Sequence, residues 1–371
     1  MNILHISPRL RPGSVNMLAA DLACGLQHAG FHNTVISPPS ELVGRMTAAS
    51  VQHHSSRNIA LFTYFNELKR VRKLINSTRT DIIIAYTTPA THLAWHACQN
   101  MPEEQRPRII GLHTTYPKHF GWAASLSQCD ALVAVSRHLR NELIKRANLD
   151  PERNIWVIPY GVNEELCSPD YRPSDSWLKQ WLRHHKEADG TLSVCIPGAI
   201  TPWHGLEDIA PVLTRLNQIN VPVHVYIAGD TARANQRYLR KLRNLFRNTK
   251  LEKQITWLGH RPDLRDVICI CDVVLSLAKM PATHARMVLE ALSLRRPVAA
   301  YDHGVVGEML DTFQPEGRVT PGDIAGITDR LEQWHAYRPH MEEQLPYPYR
   351  LGDTIRSMAE LCTSLYQKAK S

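Results

Sequence analysis

A chain of 371 residues is long enough for about two domains of ordinary size. Its 43% hydrophobic and 21% charged residues exclude a disordered or fibrous chain. The net charge of +8 is uneven: residues 1–160 hold 17 basic and 10 acidic side chains, and the remainder hold 26 and 25, so the excess sits in the first half.

Residues 2–7 form an apolar run ending at Ser7-Pro8 and predict a first strand. After a loop at 9–13, Met17, Leu18, Leu22, Leu26 and Ala29 recur at helical spacing over 15–29, and Gly30 stops the helix. A strand resumes at 34–37, and further buried strands are predicted at 81–86, 108–112, 131–135 and 155–158. A polar, helix-like stretch around 169–190 separates this series from a second. The second has strands at 191–196, 223–228, 255–258, 273–277 and 297–300, with helices at 206–216, 233–248 and 286–294. The final segment, 351–370, sets Ile355, Met358, Leu361, Leu365 and Tyr366 along one helical side.

Strands alternating with helices point to parallel sheets covered on both faces. The expected fold class is therefore α/β: two Rossmann-like doubly wound parallel-sheet domains facing a cleft. The first domain is expected over 1–165, joined by the C-terminal helix 352–371, and the second over 166–351. Ligands of open parallel sheets bind beyond the carboxyl ends of the strands, so the expected site is the cleft. Neither G-x-G-x-x-G after the first strand nor G-x-x-x-x-G-K-[ST] occurs, which disfavours dinucleotide oxidoreductases and nucleoside triphosphatases.

No apolar run approaches the roughly 20 residues of a membrane span; the best candidate, 267–278, is broken by Asp272. The start MNILHISPRL lacks the order of a secretory signal, so a cytoplasmic chain is expected. The eight cysteines are scattered and expected to be small buried hydrophobes rather than zinc ligands. His92 and His96 share a helix face but lack a third ligand, and no metal is expected. Basic clusters at Lys69, Arg70, Arg72 and Lys73 and at Arg137, Arg140, Lys145 and Arg146 suit an anionic surface. Aromatic residues do not interleave with them, so nucleic acid is not an expected partner.

Several segments, taken in order, resemble a glycosyltransferase of family 4 with the two-domain GT-B fold. They are R-P-G-S at 11–14, G-L-H-T at 111–114, A-V-S-R at 134–137, V-I-P-Y-G-V-N at 157–163 and G-A-I-T-P-W-H-G at 198–205. I-A-G-D at 227–230, W-L-G-H at 257–260, V-L-E-A at 288–291 and R-P-V-A-A at 296–300 complete the series. The resemblance implies metal-independent transfer of a sugar from a nucleotide-diphosphate sugar such as a UDP-sugar, with retained anomeric configuration and no cofactor. The implied acceptor is a glycan or lipid-linked molecule, in bacterial cell-surface polysaccharide or lipopolysaccharide synthesis. It also places His113 against the donor sugar near the reacting carbon.

A flexible Gly13 with Ser14 before a helix lets backbone amides approach an anion, and the resemblance sets this pair near the donor phosphates, with Ser14 in place of a second glycine. Where the family carries an Arg and a Lys to stabilise the leaving diphosphate, this chain has Ala199 and His204. An anion beside His204 would raise its pKa, and donor affinity would then weaken as pH rises through roughly 7–8. Of two family glutamates, Glu290 is retained for the ribose hydroxyls, and the other position is Ala282. His284 and Arg286 stand in the vacated region, and Arg286 suits a bidentate phosphate contact or, equally, a grip on an acidic sugar. Lys279 lies nearby; His260 and Arg261 follow Gly259 in the loop that cradles the base in related proteins. Asp230 ends a strand near the nucleotide, and Glu308 matches a family position.

Because three site positions depart together, the alternative reading is a glycosyltransferase-like subunit without independent catalysis, binding a partner enzyme or a glycan. A sugar-nucleotide epimerase on the same fold is a third. The basic first half implies peripheral contact with an anionic membrane at its cytoplasmic face. Vesicles containing anionic lipid should therefore sediment the protein at low salt and release it at high salt; absence of binding at low salt removes the membrane contact.

Overall fold

In a computed structural model of the protein, residues 1–7, 10, 17–57, 63–116, 124–186, 190–337 and 348–370 are described. The chain divides into two compact units, Met1–Gly161 with Tyr349–Ser371, and Val162–Pro348. The first crossing falls after 161 rather than 165.

The first unit runs β1 (Asn2–Ile6), α1 (Leu18–His28), β2 (His32–Ser37), α2 (Leu42–Ala48), β3 (Gln52–Ser55), α3 (Tyr64–Thr78), β4 (Ile82–Ala85) and α4 (Thr88–Cys98). It continues with β5 (Arg108–His113), α5 (Ala124–Ser127), β6 (Ala131–Ala134), α6 (Arg137–Ala147) and β7 (Ile155–Val157). Its strands form one parallel sheet in the order β3-β2-β1-β4-β5-β6-β7. β4, written Ile-Ile-Ile-Ala, is buried throughout, as a strand covered on both faces must be. β3, Gln-His-His-Ser, carries no apolar residue and sits at the sheet edge, so it has no hydrophobic signal to read.

The second unit contains α7 (Asp175–His184), β8 (Leu192–Pro197), α8 (Ile209–Gln218), β9 (Val223–Ala228), α9 (Gln236–Asn248), β10 (Ile255–Trp257) and α10 (Leu264–Ile270). β11 (Val273–Ser276), α11 (Arg286–Ser293), β12 (Val298–Tyr301), α12 (Gly304–Phe313), β13 (Arg318–Val319) and α13 (Ile324–Ala336) follow. Its parallel sheet has the order β10-β9-β8-β11-β12-β13. Each unit is thus a Rossmann-like α/β layer. In the second, strand order reverses between β8 and β11, where the ligand crevice of such a sheet lies.

The chain then returns to the first unit as α14 (Leu351–Lys370), which buries Met358, Leu361 and Cys362 in that unit's core. Thr354 of α14 is buried, and its hydroxyl donates to the Pro159 carbonyl at 2.8 Å and accepts from the Gly161 amide at 3.0 Å. All eight cysteines are buried thiols, and no described helix is long and apolar enough to cross a membrane.

Thr354→Val keeps the volume but orphans the Gly161 amide and the Pro159 carbonyl. Unpaired buried groups of this kind cost about 1–3 kcal/mol. Urea unfolding should show a lower midpoint with an unchanged slope in the variant.

Candidate functional site

The site is built from backbone first. Beyond β8 and β9 the two chains stay in register: the Gly198 amide donates to Ala228 O and the Ile200 amide to Asp230 O, both at 2.9 Å. A Cβ at Gly229 would stand 1.7 Å from the Gly198 carbonyl oxygen, so only glycine fits there. The turn Pro202–His204 ends at Gly205, whose φ of +62° and whose approach to Leu277 O exclude a side chain. Lys279 N–H donates to Trp203 O at 2.8 Å, fastening that turn to the segment after β11. The loops on either side of the strand reversal are therefore tied by main-chain contacts.

His204 faces this lock. Its Nδ1 lies 2.5 Å from Ala199 O and 3.0 Å from the Thr201 hydroxyl. A carbonyl only accepts, so Nδ1 carries the proton and Nε2 is the acceptor in the neutral ring. Burial lowers its pKa below the ordinary 6.5, and the Ala199 contact opposes this only in part. Without an anion the ring is uncharged at neutral pH.

The remaining cations are matched to carboxylates. Lys279 Nζ is 2.7 Å from Glu207 and 3.3 Å from Asp208. Burial works against its charge, but those carboxylates outweigh it and hold its pKa above the ordinary value. Glu207 also accepts from Tyr238, and Asp208 accepts from Tyr301 at 2.8 Å. Arg286 opens α11 and reaches Glu290 one turn on, Nε to Oε1 at 2.7 Å. Glu290 is 9% exposed and close enough to Cys167 to help burial raise that thiol to about 12. His284, bonded to Thr283 at 3.3 Å, is pushed down to about 4 by burial first and by Arg286 second.

His260 is exposed after Gly259. Arg261 turns aside: Nη2 meets Asp263 at 2.6 Å and its guanidinium lies 5.7 Å from the Trp181 ring centre. The structure thus gathers His204, His284, Arg286 and Glu290 on the segments leaving the two strands at the reversal, and directs the Arg261 side chain toward α7. Asp230 accepts from the next amide through its own side chain.

In the first unit, His113 ends β5, is 1% exposed, and is held near a pKa of about 4 by burial, with Nε2 lacking a hydrogen-bond partner. Gly13 and Ser14 lie outside the described residues. Tyr64 OH contacts His96 Nδ1 at 3.0 Å beside His92, and among the described residues no group of three His, Cys, Asp or Glu is placed to hold a metal. The acidic pair Glu207-Asp208 was missed in the sequence; its partner Lys279 is about seventy positions away, and the signal was only two acids after Gly205.

Comparison with known families and structures agrees with this architecture. The model of Glycosyltransferase Family 4 matches residues 15–166, and that of Glycosyl transferases group 1 matches residues 179–345. No curated protein matches the chain by sequence. A glycosyltransferase from Rickettsia africae ESF-5 is similar in structure with TM-score 0.84 and 18% identity, over 98% of each chain. HepE from Anabaena in complex with UDP is similar with TM-score 0.77 and 17% identity, over 99% of this chain and 98% of that one. The lipopolysaccharide outer core galactosyltransferase WaaB follows with TM-score 0.68 and 14% identity, over 100% and 99%. At these identities the likeness is one of GT-B fold.

Gly229→Ala tests the backbone lock. The added methyl must part the ends of β8 and β9, and overpacking of this kind costs about 1–3 kcal/mol. Thermal unfolding should shift downward, and any ligand seated over these strand ends should be lost from the variant.

Proposed function

We propose that this chain, which belongs to the family 4 glycosyltransferases, is a retaining, metal-independent hexosyltransferase. It takes a sugar from a nucleotide-diphosphate sugar, of which a UDP-sugar is the first candidate, to a glycan or lipid-linked acceptor in bacterial cell-surface polysaccharide or lipopolysaccharide synthesis. The observation that carries the proposal is the main-chain lock at Gly198, Gly205 and Gly229, because it leaves side-chain-free backbone at the strand reversal where a diphosphate needs close approach.

In this reading the bond between sugar and diphosphate breaks first, and the acceptor hydroxyl attacks from the face the diphosphate leaves. A leaving-group oxygen takes the hydroxyl proton. Charge growing on the diphosphate needs fixed donors. Arg286 exchanges part of its contact with Glu290 for a phosphate oxygen, and Glu290 accepts from the ribose hydroxyls. His204 turns Nε2 into a donor by taking up a proton when the anion arrives. The family resemblance further assigns His113 to the donor sugar and Gly13 and Ser14 to the phosphates. His260 and the backbone of Arg261 border the base.

Membrane contact is proposed through α3, whose outward side sets Phe65, 71% exposed, beside Lys69, Arg70, Arg72 and Lys73. An apolar ring among exposed cations is the pattern of an interfacial helix.

One observation favours the non-catalytic alternative: Lys279 and Arg286 are both neutralised, and Ala199 and Ala282 replace charged family residues. Titration calorimetry with UDP, GDP and UDP-glucose separates the readings. The transferase reading expects binding that weakens as pH rises. Free His204 titrates below 6.5, so proton uptake on binding begins in that range and ends at the raised pKa of the complex. Within that window affinity falls by up to tenfold per pH unit. His204→Gln should abolish the pH dependence. No binding of any of the three at millimolar concentration overturns the transferase reading in favour of the alternative.

A further inference from the structure

A second feature of the second unit lies outside the strand reversal. At the sheet edge formed by β10, a cavity of about 510 Å³ opens between α7 and the loop that follows Gly259. Trp177 and Trp181, one helical turn apart, stack with ring centres 5.2 Å apart and planes inclined by 13°. Trp181 is buried and braced by the Tyr226 ring at 5.1 Å, while Trp177 is partly exposed. The indole N–H of Trp177 donates to Asp263 at 2.7 Å, and Arg261 meets the same carboxylate oxygen at 2.6 Å. The wall also includes the His185 ring, 4.0 Å from the Trp181 ring centre, and exposed Gln180 and His184, whose Nδ1 donates to the Gln180 carbonyl at 2.7 Å.

Two properties of this lining select a ligand class. Arg261 and Asp263 cancel each other's charge, so the pocket offers no unbalanced cation to a phosphate and no unbalanced carboxylate to a cation. The Nε–H of Arg261 is also buried without a hydrogen-bond partner, a donor waiting for an acceptor. A fixed aromatic wall bordered by planar carboxylate, guanidinium, amide and imidazole groups matches a molecule with apolar C–H faces and a rim of hydroxyls. We propose that this pocket binds a neutral saccharide through side chains not assigned to the donor, on the outer side of the loop whose backbone at Arg261 borders the base, and independent of whether the chain transfers sugar. A saccharide held there would anchor a glycan chain to the surface of the second unit.

The test uses the full chain labelled with 5-fluorotryptophan and titrated separately with maltohexaose, cellohexaose, laminarihexaose and chitohexaose. Fluorine resonances of Trp177 and Trp181, the former assigned through Trp177→Phe, should shift saturably with at least one of them, with a millimolar dissociation constant. Trp177→Ala and the surface variant Gln180→Ala should each weaken that binding at least fivefold. Calorimetric binding of UDP should be the same in Gln180→Ala as in the parent, which keeps this outcome distinct from the fate of the donor site. Absence of a shift with all four sugars at tens of millimolar overturns the proposal, as does a shift that survives both variants unchanged.

Discussion

The contact on which the second unit's site depends is made between two backbones. The Gly198 carbonyl occupies the space a side chain at 229 would need, and the Leu277 carbonyl occupies the space of one at 205. Strand ends this close leave main-chain groups facing the reversal of strand order, and their positions are fixed by the hydrogen bonds of the sheet rather than by rotamers. Everything else in the site is arranged around that fixed platform, including the orientation of His204, whose Nδ1 is committed to the neighbouring Ala199 carbonyl.

Charge is distributed around the platform with unusual economy. Lys279 and Arg286 each face a carboxylate, and the imidazoles of His204 and His284 are held uncharged by burial. A polyanionic ligand would therefore have to rearrange existing ion pairs rather than meet waiting cations. The same physics separates this site from the pocket beside α7, where Arg261 and Asp263 pair within a wall of indole rings.

Much of the fold was legible because a parallel strand covered on both faces must be almost wholly apolar. Ile82–Ala85 and Ala131–Ala134 announce themselves in this way. Edge strands do not need that composition, and Gln52–Ser55 and Arg318–Val319 were unreadable for that reason. His5 was read as part of an apolar run, yet it is a buried polar node between Tyr86 and Asn33, each at 2.8 Å, with burial lowering its pKa to about 4. No local pattern distinguishes such a residue from an exposed one.

The amino-acid sequence by itself determined two α/β units, the return of the last helix, and the order of the motifs that follow each strand, because periodicity and motif spacing are properties of the chain. Only the tertiary structure decided which charges face each other. Glu207 and Asp208 meet Lys279, Arg261 turns to Asp263 and Trp181, and Trp177 reaches the same carboxylate from another helix. Coulombic and hydrogen-bond energies depend on separations of a few ångströms between residues remote in the chain, and those separations exist only once the sheet has brought its strand ends together.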